Sequence, residues 1–404
     1  MTDEQREGTP VEPTPVEETA PESKPEVASG GSAGVAAESS ATTPDGEEKR
    51  GLYMTPRGIL TTVAIVLMLI LIALLIYLLL MDRSGPGTRV EGDAIAGIKT
   101  EVVIRGPGTG KLPRFDGPMG AAWSPDGNQV YVADSTNNRI CVFRKDGRFI
   151  TEFGTFGIAK PLEGAKQTWD PGELNYPTDV AVDTQGRVYV ADFYNDSISV
   201  FTANGEFLRR FPDPYKPTGK GSSGNDGKGI AVTALDVAEG KVYATDSYQI
   251  VVFDLNGKLL QQFGRPGASL GDLDRPNGVV ADADARVVVS DSNNNRVVAF
   301  SPLGRPVWMA GKRLPSVPQT PEDTDFVLPR GATIMDDGDV LIADPLAQRL
   351  VRLSSEGEVV SRYGERGVLP SQLNFPNDVD WYGGRILIAD RENDRIQIAR
   401  LVGK

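Results

Sequence analysis

Residues 130–143 read VYVADSTNNRICVF, and residues 287–300 read VVVSDSNNNRVVAF. Each is a pair of β-branched, apolar runs broken by an Asp-led polar loop, the pattern of two antiparallel strands joined by a turn. Aligned on that Asp, six copies occur, at Asp134, Asp192, Asp246, Asp291, Asp344 and Asp390, spaced 58, 54, 45, 53 and 46 residues apart. Each copy opens with a short strand, usually after a Pro, as in PTDVAVD (177–183) and PNGVVAD (276–282). A Gly-containing turn such as TQGR leads into the quoted phrase, and a second such as ANGE or LNGK leads to a fourth strand, most often ending in Phe-Gly or Tyr-Gly. Four short strands cannot cover both faces of their own sheet, so repetition at this period predicts sheets packed around a common axis. That is an all-β, six-bladed β-propeller over 98–404.

The sixth copy runs out at RIQIARLVGK, three strands in. The stretch TEVVIRGPGTGKLPRFDGPMG (100–120) parallels LLQQFGRPGASLGDLDRPNG (259–278), with 11 residues separating Gly106 from Pro118 and Gly264 from Pro276. Residues 98–106 are therefore expected to supply the closing strand of the last blade, which removes the open sheet edges that invite aggregation. With its P-x-G/D-V-x-V-D opening and V-A-D-x-x-N-x-R core, the phrase resembles the NHL repeat, most specifically at 177–211 and 276–300 and less so at 229–263. That resemblance implies six blades. It also implies a non-catalytic sensor or scaffold role, as in the propellers of receptor-kinase sensor domains, or an enzyme with ligands on the axis, as in calcium-dependent lactonases.

Ahead of the repeats lie three other segments. Residues 1–50 carry twelve Asp/Glu against four Lys/Arg and six prolines. Such a chain cannot bury enough apolar surface to offset its ordering entropy, so 1–57 are expected to be a disordered acidic tail. Residues 59–81, ILTTVAIVLMLILIALLIYLLLM, hold no charge and as a helix would reach about 35 Å, enough to cross a bilayer. A single transmembrane helix is expected over 58–81, with 82–97 as linker. Lys49, Arg50 and Arg57 before the span, against Arg83 and Arg89 after it, favour a cytoplasmic N-terminus and an extracytoplasmic propeller at the cell membrane.

Composition narrows the chemistry. The net charge of −13 speaks against a nucleic-acid partner, which requires a surplus of cations on one face. The chain has no His, which removes His-based acid–base catalysis, Ser-His-Asp and Cys-His arrangements and the usual catalytic zinc sites. Cys141, the single cysteine, sits in an apolar run and reads as a small buried hydrophobe. No cofactor is expected. Asp291-Ser-Asn293-Asn-Asn295 imitates half a calcium loop but has Arg296 where the turn Gly belongs and no Glu at the twelfth position, so no calcium is expected there.

Candidate binding positions follow from the geometry of propellers. Links between blades share a face with the Asp-led loops. Three links hold 11 residues (107–117, 265–275, 365–375), while 155–176 holds 22 and 212–228 and 312–328 hold 17 each. Insertions on one face of a repeat array mark its binding face, so a protein or small-ligand partner is expected there, with Trp169, Lys216, Lys220 and Trp308 as contacts. The residues that follow each opening Pro should ring the channel mouth. Asp179, Asn277, Arg330, Asn377 and Asp378 are the ligand-binding candidates, with Lys228-Gly229 taken as the equivalent pair of the degenerate third copy. Asp179, Asn277 and Asp378 are also the ligand set that a lactonase-like calcium site would need. The Asp of each loop and the Arg that follows (Arg139, Arg296, Arg349, Arg395) recur from blade to blade, which points to a structural pin.

Overall fold

The computed structural model describes residues 62–73, 88–89, 96–108, 114–158, 170–212, 230–316 and 324–403. The acidic tail, most of the linker, both ends of the expected membrane span, and Trp169, Lys216, Lys220, Lys228 and Gly229 lie outside these residues. Within the expected span, residues 62–73 are helical with exposed apolar side chains. Among the described residues no helix is long and apolar enough to cross a membrane.

The repeats fold into six antiparallel sheets, five of four strands and one of five. The innermost strands, blade by blade, are Pro118–Trp123, Pro177–Val182, Leu235–Ala238, Gly278–Ala281, Ala332–Ile334 and Pro376–Tyr382. In blade six the outer place next to Arg395–Leu401 is taken by Ile98–Ile104, with Ile98 opposite Leu401 and Ile104 opposite Ile396. Thr88–Arg89 adds a short fifth strand outside it. Hairpin turns follow from local chemistry: Gly205, at φ 87, closes the turn onto Thr202 and shifts the register before Arg209, a bulge that L-residues tolerate poorly.

No blade has a core of its own. Each of the six apolar clusters joins two neighbouring sheets. In the last of them Leu387, Ala389, Ile396 and Ile398 of blade six pack against Val130, Val132, Cys141 and Phe143 of blade one, so the ring of contacts is continuous.

The Asp-x-x-Asn-x-Arg phrase clamps the links. Asp291 accepts from the Asp274 N–H (2.7 Å), from Asn294 (2.8 Å) and from Arg296 (2.7 Å). Asn294 and Arg296 in turn donate to the link carbonyls of Gly267, Ala268, Ser269 and Asp272. The same ion pair is Asp134–Arg139 at 2.7 Å, Asp344–Arg349 at 3.1 Å and Asp390–Arg395 at 2.6 Å. Blade two has Ser197 where the Arg belongs, and Arg210 of its outer strand reaches Asp192 instead at 2.8 Å. In blade three Asp246 accepts from Ala231 N and from Gln249. A buried carboxylate thus anchors every link to the loop of its own blade.

Candidate functional site

The innermost strand of each blade has one edge without a strand partner, and its N–H groups face the axis needing acceptors. Side chains of the preceding blade supply them. Asp378 accepts from Ala121 N at 3.0 Å and Asp380 from Trp123 N at 2.8 Å. Asp179 accepts from Leu235 N and Asp236 from Ala281 N, each at 2.8 Å. Thr333 accepts from Trp381 N at 3.1 Å. The second oxygens of Asp179, Asp236 and Asp380 take the N–H of their own following residue, at 2.7–2.8 Å. The strand registers stack these positions in two rings: Gly120, Asp179, Ala234, Gly278, Gly331 and Asp378 above, and Ala122, Ala181, Asp236, Val280, Thr333 and Asp380 below. Glycine beside aspartate is a steric requirement, since a Cβ on Gly120 would lie 2.6 Å from Asp179 Oδ1.

Register also corrects the third copy. Thr233-Ala234, not Lys228-Gly229, take the ring positions, because Leu235 pairs with Ala244 two residues before Asp246. Asp236 and Asp380 are axial groups that reading only the two residues after each Pro misses. Asp380 follows Asp378 by the two-residue period of a strand and was visible as such. Asp236 stands in a copy that has lost its opening Pro.

The rings enclose a cavity of about 140 Å³ lined by Asp179, Asp236, Thr333, Asp378 and Asp380. Burial pushes all four carboxyls up, Asp380 to about 6 and Asp179 to about 7, with Asp236 and Asp380 adding to the rise of Asp179 and Asp179 adding to that of Asp378. A carboxyl whose folded pKa exceeds its unfolded value holds more protons folded than unfolded. Its favourable contribution is therefore complete below the unfolded value of 3.8 and is lost as pH rises through about 6. The melting temperature is expected to rise between pH 7.5 and pH 5, with about 1 kcal/mol of the gain due to Asp380. Asp380→Asn should flatten that part of the profile; an unchanged slope in thermal melts would contradict it.

Above the rings lies a polar collar at the mouth. Thr178 donates to Val232 O at 3.3 Å and Thr233 to Pro276 O at 2.8 Å. Asn377 donates to Met119 O at 2.8 Å and accepts from Arg330 at 2.9 Å. Asn277 stands apart, its amide bonded to Arg275 O of its own link. Of the five mouth candidates, the structure joins Arg330 with Asn377 in the collar and places Asp179 and Asp378 in the upper ring below it. Arg391, in the turn after Asp390, and Phe375, just before the opening Pro376, also reach this mouth. Both guanidiniums sit over the Phe375 ring, at 5.6 Å for Arg330 and 5.5 Å for Arg391. The residue types of Arg391 and Phe375 are not repeated at the equivalent positions of the other blades, so periodicity carried no signal for them. Trp308 lies on the outer strand Pro306–Gly311, its indole donating to Ser355 O at 3.0 Å and its ring against Gly357 of the next blade.

A calcium ion does not fit the set Asp179, Asn277 and Asp378. Asp179 has both oxygens on backbone N–H groups, Asp378 accepts from the N–H groups of Ala121 and Val379, and Asn277 is turned to its link. Among the described residues no three His, Cys, Asp or Glu are grouped to hold a metal ion.

Comparison with known proteins finds two family models: the SMP-30/Gluconolactonase/LRE-like region over residues 109–234 and the NHL repeat over 273–300. Protein brain tumor of Drosophila melanogaster is 31% identical over 153 residues, 37% of this chain and 13% of that protein. Human NHL repeat-containing protein 3 is 27% identical over 183 residues, 41% and 50%. Peptidyl-glycine alpha-amidating monooxygenase B of Xenopus laevis is 28% identical over 225 residues, 51% and 23%. The chain thus spans half or less of the length of these curated relatives. Among solved structures, a structural genomics protein of unknown function from Bacteroides thetaiotaomicron superposes with a TM-score of 0.53 at 20% identity, covering 78% of this chain and 75% of that one.

Proposed function

We propose, for a chain that belongs to the NHL-repeat β-propeller family, that the ring is a binding scaffold whose link face receives a protein or small-ligand partner. The apolar segment 58–81 holds it at the cell membrane, with the N-terminus in the cytoplasm and the propeller outside. The observation that carries this reading is the state of the axial carboxylates. Their oxygens are spent on the inner-strand amides of the next blade, so the channel is braced rather than equipped. Variation between copies is concentrated instead in the links of 22, 17 and 17 residues.

A second reading, a hydrolase or lyase acting on the axis, is favoured by the match of 109–234 to the gluconolactonase-like model and by the amidating relative. It lacks a ligand set: no histidine exists in the chain, and the aspartates are engaged. The scaffold reading is tested by proximity labelling of the full-length protein in its membrane. A version whose 155–176 link is shortened to 11 residues is expected to lose a discrete subset of labelled neighbours. An identical labelled set from both versions would remove the link face from consideration.

A further inference from the structure

Five arginines with buried side chains share one arrangement, and Arg330 at the channel mouth lacks it. Arg139, Arg210, Arg296, Arg349 and Arg395, all with side chains 7% exposed or less, each meet an aspartate at 2.6–3.1 Å. Arg330 has no ion-pair partner among the described residues. Its guanidinium bonds the neutral Asn377, and its Nε is buried without an acceptor. Arg391 shares the Phe375 ring with it and also has a buried Nε without an acceptor. Among the described residues its one carboxylate partner is the half-exposed Glu392 at 3.4 Å.

Two guanidiniums on one phenyl ring, near enough for Arg391 to bear on the charge of Arg330, repel each other and lose hydration, and a charge buried without a partner is unfavourable. Burial, then Arg391, pulls the Arg330 pKa down to about 10. Such an arrangement persists where something else supplies the negative charge. The surroundings define what that is. Phe375 is fixed with φ 58 and its N–H on Gln348 Oε1 at 2.7 Å, so its ring is presented to both arginines. Tyr176 lies near enough to Arg330 to influence its charge, and it stacks at 5.4 Å on Tyr194, which is 58% exposed. Beneath lie Asp179 and Asp378.

We propose that the channel mouth binds a small organic monocarboxylate, with its charged end on Arg330 and Arg391 and its apolar body along Tyr176 and Tyr194. This deepens the scaffold reading, since the mouth opens on the link face, but it stands on the arginine pair and not on the long links. A guanidinium pair holds one carboxylate by charge-assisted, planar hydrogen bonds, and the tyrosine wall selects an aromatic or branched acid over acetate.

The experiment uses full-length protein in detergent micelles and benzoate as probe, with acetate, inorganic phosphate and the neutral isostere benzamide in parallel. Benzoate is expected to raise the melting temperature saturably and benzamide to leave it unmoved, with acetate and phosphate weaker than benzoate. Arg330→Gln and Arg391→Gln should each weaken benzoate binding tenfold or more by calorimetry. Without probe, Arg330→Met should melt at or above the wild-type temperature, because it removes an unpaired buried charge. Lower melting of Arg330→Met together with undiminished benzoate binding by Arg330→Gln would make Arg330 a structural residue. Equal responses to benzoate and benzamide, phosphate binding as tight as benzoate, or no response to benzoate would each overturn the assignment. These results are separable from the labelling result above, which depends on the 155–176 link and is read without any added acid.

Discussion

A chain lacking residues 98–106 is expected to lose its cooperative thermal transition and to aggregate, because the deletion removes the outer strand that completes blade six. Ile98 and Ile104 are fully buried, and Val102 and Val103 nearly so. At about 1.5–3 kcal/mol for each buried side chain of this kind, the four together hold roughly 6–12 kcal/mol as an upper bound. A folded domain has a net stability of only about 5–15 kcal/mol. The deletion also removes Thr100, whose N–H bonds Ser371 and whose hydroxyl bonds Gln397, both inside the last blade and its link. It leaves Arg395–Leu401 as an exposed, apolar edge, and such edges pair with other chains. Calorimetry and size-exclusion chromatography of the deletion and the intact protein decide the matter. A monomeric deletion melting within a few degrees of the parent would refute closure by this strand.

The second large effect is expected at Arg395. Its side chain and that of Asp390 are both 0% exposed, 2.6 Å apart. The guanidinium also holds the carbonyls of Val368, Leu369 and Gln372 at 2.7–2.8 Å. Arg395→Ala strands a buried carboxylate and frees three link carbonyls, at a cost of about 3–5 kcal/mol, which is about 5–8 °C in melting temperature for a domain of this size. Restoring neutrality with Asp390→Asn in the same chain should return part of the loss. Arg148→Ala is the contrasting case. That arginine pairs with Asp146, but the two side chains are 62% and 45% exposed, and solvent screening leaves the melting temperature almost unmoved. Similar losses at both sites would show that burial does not set the strength of these pairs.

The architecture was open to reading because its instructions repeat. Asp134, Asp291, Asp344 and Asp390, each with an Arg five residues on, mark the same place in four blades, and a residue that recurs at every turn of a ring serves the ring. The places that resisted reading are those where one copy improvises. Arg210 substitutes from another strand for an arginine that blade two lacks, and tertiary contact rather than spacing makes that pair. Asp236 lies in the copy that has lost its opening Pro, so taking Lys228-Gly229 as the opening pair misplaced the axis by five residues. Arg391 and Phe375 become neighbours of Arg330 only when blades five and six meet, and no linear pattern announces a contact between single, unrepeated side chains. The apolar segment at 58–81 is the converse case: its composition speaks plainly, while the described helix covers only residues 62–73.

The pairing of Ile98–Ile104 with Arg395–Leu401 also sets a clock on biosynthesis. Register partners Ile98 and Leu401 are separated by some 300 residues, and ribosomes add about 5–20 residues per second. The closing strand must therefore wait roughly 15–60 s for the partner that shelters it, a span in which five sheets can form while the sixth stays incomplete. The nascent ring is most vulnerable at its seam, and that seam is the last part of the ring to be made.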